Sequence, residues 1–350
     1  MATYILRRIL LMIPTFIAIT FICYGIMWVV PGGPVEQAIM KYEAAATGGG
    51  AGGEVGSGGS SSASAQSFQV SDDMVEELKK IYGFDKPFHI AYLTWLWKVC
   101  QFDLGDSYIY SEPVWERIYT RFPVSLFFGG IGFILGYIIC IPLGIFKAMR
   151  HGSMFDFNSS ILVFVGYSIP GFAAGLVLLV LFGGGSYWDW FPLGGMVSQN
   201  FDDLSFWAKA KDLAHHAVLP VLCYMLGGFA VTTMLMKNSL MENLGADYVR
   251  TAFAKGLNER VVVFKHVLRN SLIPIATGVA HFLSILLAGS YLIERVFNID
   301  GIGLLGYDAL VARDYPVTLG VIVIASILTL VGNLLADMMY AVIDPRIRFK

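Results

Sequence analysis

The chain has 350 residues, of which 56% are apolar and only 14% charged, and its mean hydropathy of +0.64 lies well above that of ordinary globular chains. That composition excludes a water-soluble protein. The net charge of −2 conceals an uneven placement of 24 basic and 26 acidic residues.

Taken in chain order, uncharged runs occupy 9–35, 122–146, 157–188, 213–236, 270–293 and 315–336. Each reaches the ~20 residues a helix needs to cross hydrocarbon, and each is too long for the ~10-residue alternating strands of a membrane barrel. The predicted fold is an all-α membrane protein with six transmembrane helices. The first run has no small-x-small exit before Pro31-Gly32-Gly33-Pro34, so it is expected to remain as helix one rather than be removed. The predicted organisation is helix one at 1–35, an outer region at 36–121, a core at 122–343 with helices two to six and an inner loop at 237–271, and a tail at 344–350.

Lys and Arg accumulate on the cytoplasmic side of membrane proteins. With the N-terminus inside, the short inner segments hold 13 Lys/Arg and the much longer outer ones 11, while all seven Trp fall on or next to the outer side. Both termini are therefore placed in the cytoplasm. Cys23, Cys140 and Cys223 lie within spans and Cys100 alone in an outer loop, so no exterior disulfide can form within the chain.

In the outer region, 44–68 is a Gly/Ser/Ala tract with almost nothing to bury and is predicted to be a flexible loop. Ser71-Asp72-Asp73 then caps a helix with acids in its first turn and Lys79-Lys80 in its last, which Gly83 stops. A second helix, roughly 87–100, carries Tyr92, Trp95 and Trp97 at interfacial positions.

Motifs for chemistry are missing: there is no G-x-x-x-x-G-K-[ST] phosphate loop, no H-E-x-x-H and no C-x-x-C. His215 and His216 are adjacent, so on a helix they point to different faces, which suits an interface better than a metal. His281 and Ser284 share a face of span five, as a polar path or a hydrogen-bonded helix contact requires. Asp337 is an intramembrane carboxylate, with Asn333 one turn before it and Tyr340 after it as local partners. An ion-driven carrier usually needs more than one such group in mid-membrane.

The inner loop is too long for a turn and too regular for disorder. Met241, Leu244, Tyr248 and Ala252 recur at helical spacing, predicting one amphipathic helix. Ala252 and Ala254 are small enough for close approach to a partner, Gly256 suits a left-handed helix stop, and Asn258 is placed to cap the helix that follows. A docking helix and an interfacial helix pair on anionic lipid both fit this pattern.

These residues carry a family resemblance. Asp247-Tyr-Val-Arg-Thr-Ala-Phe-Ala-Lys-Gly-Leu257, followed by Lys265-His-Val-Leu-Arg-Asn-Ser271, resembles the EAA loop of ATP-binding-cassette importer permeases of the dipeptide/oligopeptide group. Further matches include Gly105-Asp-Ser107, Ile141-Pro-Leu-Gly144, Gly301-Ile-Gly303 and Ala312-Arg-Asp-Tyr-Pro316. The outer Gly-rich insert, with Pro31-Gly32-Gly33-Pro34 where the family usually has P-G-D-P, looks like the Yej-type oligopeptide/microcin C subgroup. Arg250 stands where the Glu that names the loop is usual.

The resemblance implies a type I importer permease (MetI-like) fold in the bacterial inner membrane. It also implies that the chain is a pore half rather than an enzyme. The expected partners are a second homologous permease, cytoplasmic ATPase subunits that carry ATP and Mg, a periplasmic peptide-binding protein, a peptide substrate and the lipid bilayer. No cofactor, metal or nucleic acid is expected on this chain. Tyr248, Arg250, Thr251, Ala252, Ala254, Lys255, Gly256, Leu257 and Asn258 would form the ATPase-coupling loop, with Ala252 facing the ATPase, and His281, Ser284, Asn333 and Asp337 are the pore-lining candidates. A carrier driven by an ion gradient would instead work alone, and a scaffold or channel would ignore nucleotide.

Overall fold

A computed structural model describes residues 2–46, 72–81, 83–184, 187–276, 278 and 290–343. Helices dominate it, and among the described residues β-pairing is confined to two isolated bridges, Asp106 with Pro113 and Gly183 with Phe191. Helices α1 (Ala2–Val29), α2 (Pro34–Ala46), α3 (Asp72–Ile81) and α4 (Phe88–Cys100) precede the long α5 (Val114–Met149). Then come α6 (Met154–Ser168), α7 (Gly171–Phe182), α8 (Phe206–Leu244) and α9 (Asp247–Ala254). A helical stretch over 259–271, α10, contains a wide π turn at Val262–Val267. Helices α11 (Tyr291–Val296), α12 (Ile302–Val311) and α13 (Tyr315–Ile343) complete the chain.

Four of these, α1, α5, α8 and α13, are long and apolar enough to cross a membrane, and α6 with α7 makes a fifth such stretch. The third predicted span is thus not one rod: α6 and α7 meet at 97°. Pro170 is the cause. Its ring disfavours the helical region for the residue before it, and Ile169 is accordingly extended at φ −96°, ψ 118°. In the fifth predicted span, residues 277 and 279–289 lie outside the described residues, and His281 and Ser284 with them. So do most of the Gly-rich tract and the 344–350 tail, although Ala44–Ala46, read as loop, continue α2 as good helix formers do.

The chain divides into two compact units, one of residues 1–14, 117–308 and 323–350, the other of 15–116 and 309–322. In the first, one apolar core gathers Phe128, Leu179, Cys223, Ile293 and Phe297 from α5, α7, α8 and α11 and the turn after it. A second joins Ile145 and Ala148 of α5 to Met236 and Leu240 of α8 and to Val262 and Val267 of α10. The two long helices approach closely at Gly144, where a Cβ would stand 2.8 Å from the Thr233 carbonyl and 2.6 Å from Met236 Cβ. Only glycine fits there.

In the second unit α4 packs on α1 through Tyr92, whose buried hydroxyl lies 3.0 Å from Thr20 Oγ1 and donates to the Ile17 carbonyl. The turn at 312–316 joins two loops: the Arg313 guanidinium donates to the Pro31 and Gly32 carbonyls, and Asp314 accepts from the Ser107 hydroxyl and the Tyr108 amide. These contacts bring the 31–34, 105–107 and 312–316 segments together. α3 ends at Ile81, and Gly83 beyond it adopts φ +75°, the helix stop its sequence predicts.

Candidate functional site: the inner loop and its support

The predicted single helix through Met241 and Ala252 is two. α8 ends at Leu244, Gly245 and an extended Ala246 (φ −74°, ψ 151°) break the chain direction, and α9 begins at Asp247. The periodicity bridged this break because a two-residue interruption left the apolar spacing nearly intact. Tyr248 consequently does not lie on a buried face but is 38% exposed, its hydroxyl donating to Asn243 Oδ1. The buried residues of α9 are Val249 and Ala252, which pack on Met236, Leu240, Val262 and Val267.

Ala252 therefore faces the protein's own core, 8% exposed, and not a partner. The outward face carries Arg250, Thr251, Phe253, Ala254 and Lys255, all exposed, with Leu257 beyond them. At the end of α9 the Gly256 amide donates to the Phe253 carbonyl and the Leu257 amide to that of Ala252, and Gly256 adopts φ +78°. This is the paired-bond helix stop that a residue without Cβ favours. Asn258 then caps α10, its side chain accepting the Arg260 amide at 3.0 Å. Deeper in, the Ser239 hydroxyl donates to the Ser271 carbonyl and the Ser271 hydroxyl reaches the Ser239 carbonyl, fastening α10 to α8.

Beside this loop lies a charged cluster that sequence reading missed. Lys237 of α8 donates to both carboxylate oxygens of Asp156 at 2.8 Å. Lys147 of α5, whose side chain is fully buried, reaches the same carboxylate at 3.2 Å and donates to the Asp156 carbonyl and to the hydroxyls of Ser159 and Ser160. The Gly152 amide also donates to Asp156. One carboxylate thus unites three helices, and two lysines are neutralised only in part by it. In the sequence these residues read as ordinary loop charges; the available signal was that each stands at the end of an apolar run.

Asp337 pairs with Arg8 of α1, with Nε 2.6 Å from its carboxylate, and Asn333 is half-buried one turn before it, while the side chain of Tyr340 lies outside the described residues. His216 is buried with Nδ1 3.0 Å from the Asp212 carbonyl, while His215 turns to the Trp190 carbonyl at 2.6 Å, so the two rings do point apart. Among the described residues no three His, Cys, Asp or Glu side chains converge as metal ligands would. Glu294, also missed, is 1% exposed and accepts the Leu304 amide, with Ser125 Oγ and Tyr224 Oη each 3.3 Å away. Gly301 leaves room for that carboxylate, since a Cβ there would come within 2.5 Å of it.

Residues 140–349 match the family described as binding-protein-dependent transport system inner membrane component. Along its full length the chain is 42% identical to the peptidoglycan transport system permease protein YejB of Agrobacterium fabrum, covering 99% of that protein. It is similarly 43% identical to the inner membrane ABC transporter permease protein YejB of Escherichia coli O157:H7, over all of both chains. The dipeptide transport system permease protein DppB of Escherichia coli K12 is 34% identical, again over all of both.

Proposed function

Because the chain belongs to the binding-protein-dependent transport system inner membrane component family, we propose that it is one half of the pore of an ATP-driven importer of peptides. A second permease would complete the pore, an exterior binding protein would deliver peptide, and ATPase subunits carrying ATP and Mg would dock on α9 from the cytoplasm. Placing both termini inside is supported by the 13 basic residues of the short inner segments.

The observation that carries this reading is the two-faced character of α9. Its inner face is Val249 and Ala252, buried against α8 and α10, while its outer face leaves the side chains of Phe253, Lys255 and Leu257 exposed. An ATPase pressing on the outer face would displace a helix seated in a close-packed core, and such cores transmit displacement rather than absorb it. The break at Gly245–Ala246 separates α9 from α8. Substrate choice rests on relatives named for oligopeptide, dipeptide and peptidoglycan transport.

The test is to purify the chain with its partners, reconstitute the assembly in vesicles and follow uptake of radiolabelled trialanine and of a peptidoglycan-derived peptide. Uptake of one or both should require the binding protein and Mg-ATP. Uptake by this chain alone, driven by a proton or sodium gradient, would overturn the proposal.

A further inference from the structure

The 15–116 and 309–322 unit contains a cleft of about 850 Å³ built from α1, α4, the 83–86 and 103–111 loops and the start of α13. Its size falls within the ~300–1,000 Å³ typical of small-molecule sites. Aromatic rings form a continuous run through its lining: Trp95 to Tyr24 at 5.3 Å between centroids, Tyr24 to Trp28 at 6.1 Å, Trp28 to Phe84 at 4.8 Å and Phe84 to Tyr315 at 6.4 Å.

Two segments of the chain bring charges of unequal sign to the lining. The stretch beside Phe84 contributes Lys80, Asp85 and Lys86, an excess of one positive charge, and the stretch after Trp95 contributes Lys98, Asp103 and Asp106, an excess of one negative. Asp103 is engaged by the Gly105 amide, whereas no ion pair joins any of the three lysines to an acid among the described residues. Exposed lysines elsewhere on a protein need no partner; three of them lining one aromatic cleft point to a ligand.

We propose that this cleft binds a short peptide in its zwitterionic form, its carboxylate at Lys80 and Lys86, its ammonium at Asp106 and Asp103, and its apolar side chains on the aromatic run. The opposite excesses of charge complement the two ends of a free peptide, and rings accept varied side chains without demanding one sequence. The inference rests on the peptide-importer reading, which supplies the exterior side from which such a ligand arrives. The cleft then receives peptide on the permease itself, before entry to the pore.

The assembled importer in nanodiscs, without binding protein or nucleotide, is titrated with trialanine and with N-acetyl-trialanine amide while tryptophan fluorescence is read. Trialanine should change the emission saturably, the change should shrink in Trp28→Phe, and the blocked peptide should give none. Lys86→Gln and Asp106→Asn, both at exposed positions, should each weaken binding about tenfold, the loss of one charge-assisted contact. Equal affinity for blocked and free peptide, unchanged affinity in both charge variants, or abolition of the signal by exchanging phosphatidylethanolamine for another lipid would overturn the proposal, the last outcome assigning the cleft to a lipid headgroup. ATP-driven uptake by the same assembly with binding protein added is measured in parallel. Uptake without cleft binding sinks the cleft and spares the importer; absence of both sinks the importer.

Discussion

The α9 segment and the Lys147–Asp156–Lys237 cluster belong to the same unit yet obey opposite rules. Around α9 the charges are on the surface: Arg250 and Asp247 pair at 3.8 Å with side chains 79% and 98% exposed, a contact of little consequence in water. In the cluster, Lys147 is 0% and Asp156 7% exposed at the side chain, and every bond of the carboxylate is to another helix or to the turn before α6. The segment with the recognisable motif therefore leaves its charges in water, and an unremarkable set of charges ties three helices together. Conformity to a family pattern and mechanical importance are separate properties of a residue.

That contrast is broken most severely at Asp156. Asp156→Ala would leave two buried ammonium groups without their carboxylate, a change that costs about 3 kcal/mol or more. The solubilised chain should melt at a markedly lower temperature in fluorescence-detected size exclusion. A parent-like melting curve would mean that the lysines find water and that the cluster does not fasten α5, α6 and α8.

Ala252→Asp comes next, and it sharpens the boundary between the two regions because Ala252 lies in the loop motif but faces the core. An unpaired carboxylate among Met236, Leu240 and Val267 should cost about 2 kcal/mol. The variant should therefore lose thermal stability before any partner is added. Normal stability with failed ATPase co-purification would return Ala252 to the docking face.

Gly256→Val should have the smallest effect on folding, about 1–2 kcal/mol for forcing a branched residue to positive φ. Nothing lies within 4 Å of a Cβ at this position, so the strain is in the backbone alone. The helices should remain assembled, while peptide-stimulated ATP hydrolysis falls because the end of α9 is redirected. Hydrolysis and uptake equal to the parent would show that this stop does not shape the docking face.

Much of the candidate site was legible residue by residue where the determinant is local. Gly256 and Gly83 adopt left-handed conformations because only glycine does so freely, and Asn258 caps α10 because its side chain reaches an amide two residues on. Uncharged runs located α1, α5, α8 and α13 because a helix in hydrocarbon satisfies its own backbone, and apolar periodicity located helical faces. It misread 241–252 because spacing reports a face but not a break, and Gly245–Ala246 changes direction without disturbing the spacing by much.

The sequence by itself determined that this is a helical membrane protein whose 237–271 segment contains a glycine helix stop and an asparagine cap, since hydropathy, helix stops and caps depend on neighbours along the chain. Only the tertiary structure decided that Ala252 faces inward, that Asp337 pairs with Arg8, and that Lys147, Asp156 and Lys237 share one buried carboxylate. Asp156 and Lys237 are 81 positions apart and their attraction falls off with distance in space, which chain separation does not encode. A charge at the end of an apolar run is a solvated surface group or a buried tie according to which helices pack around it.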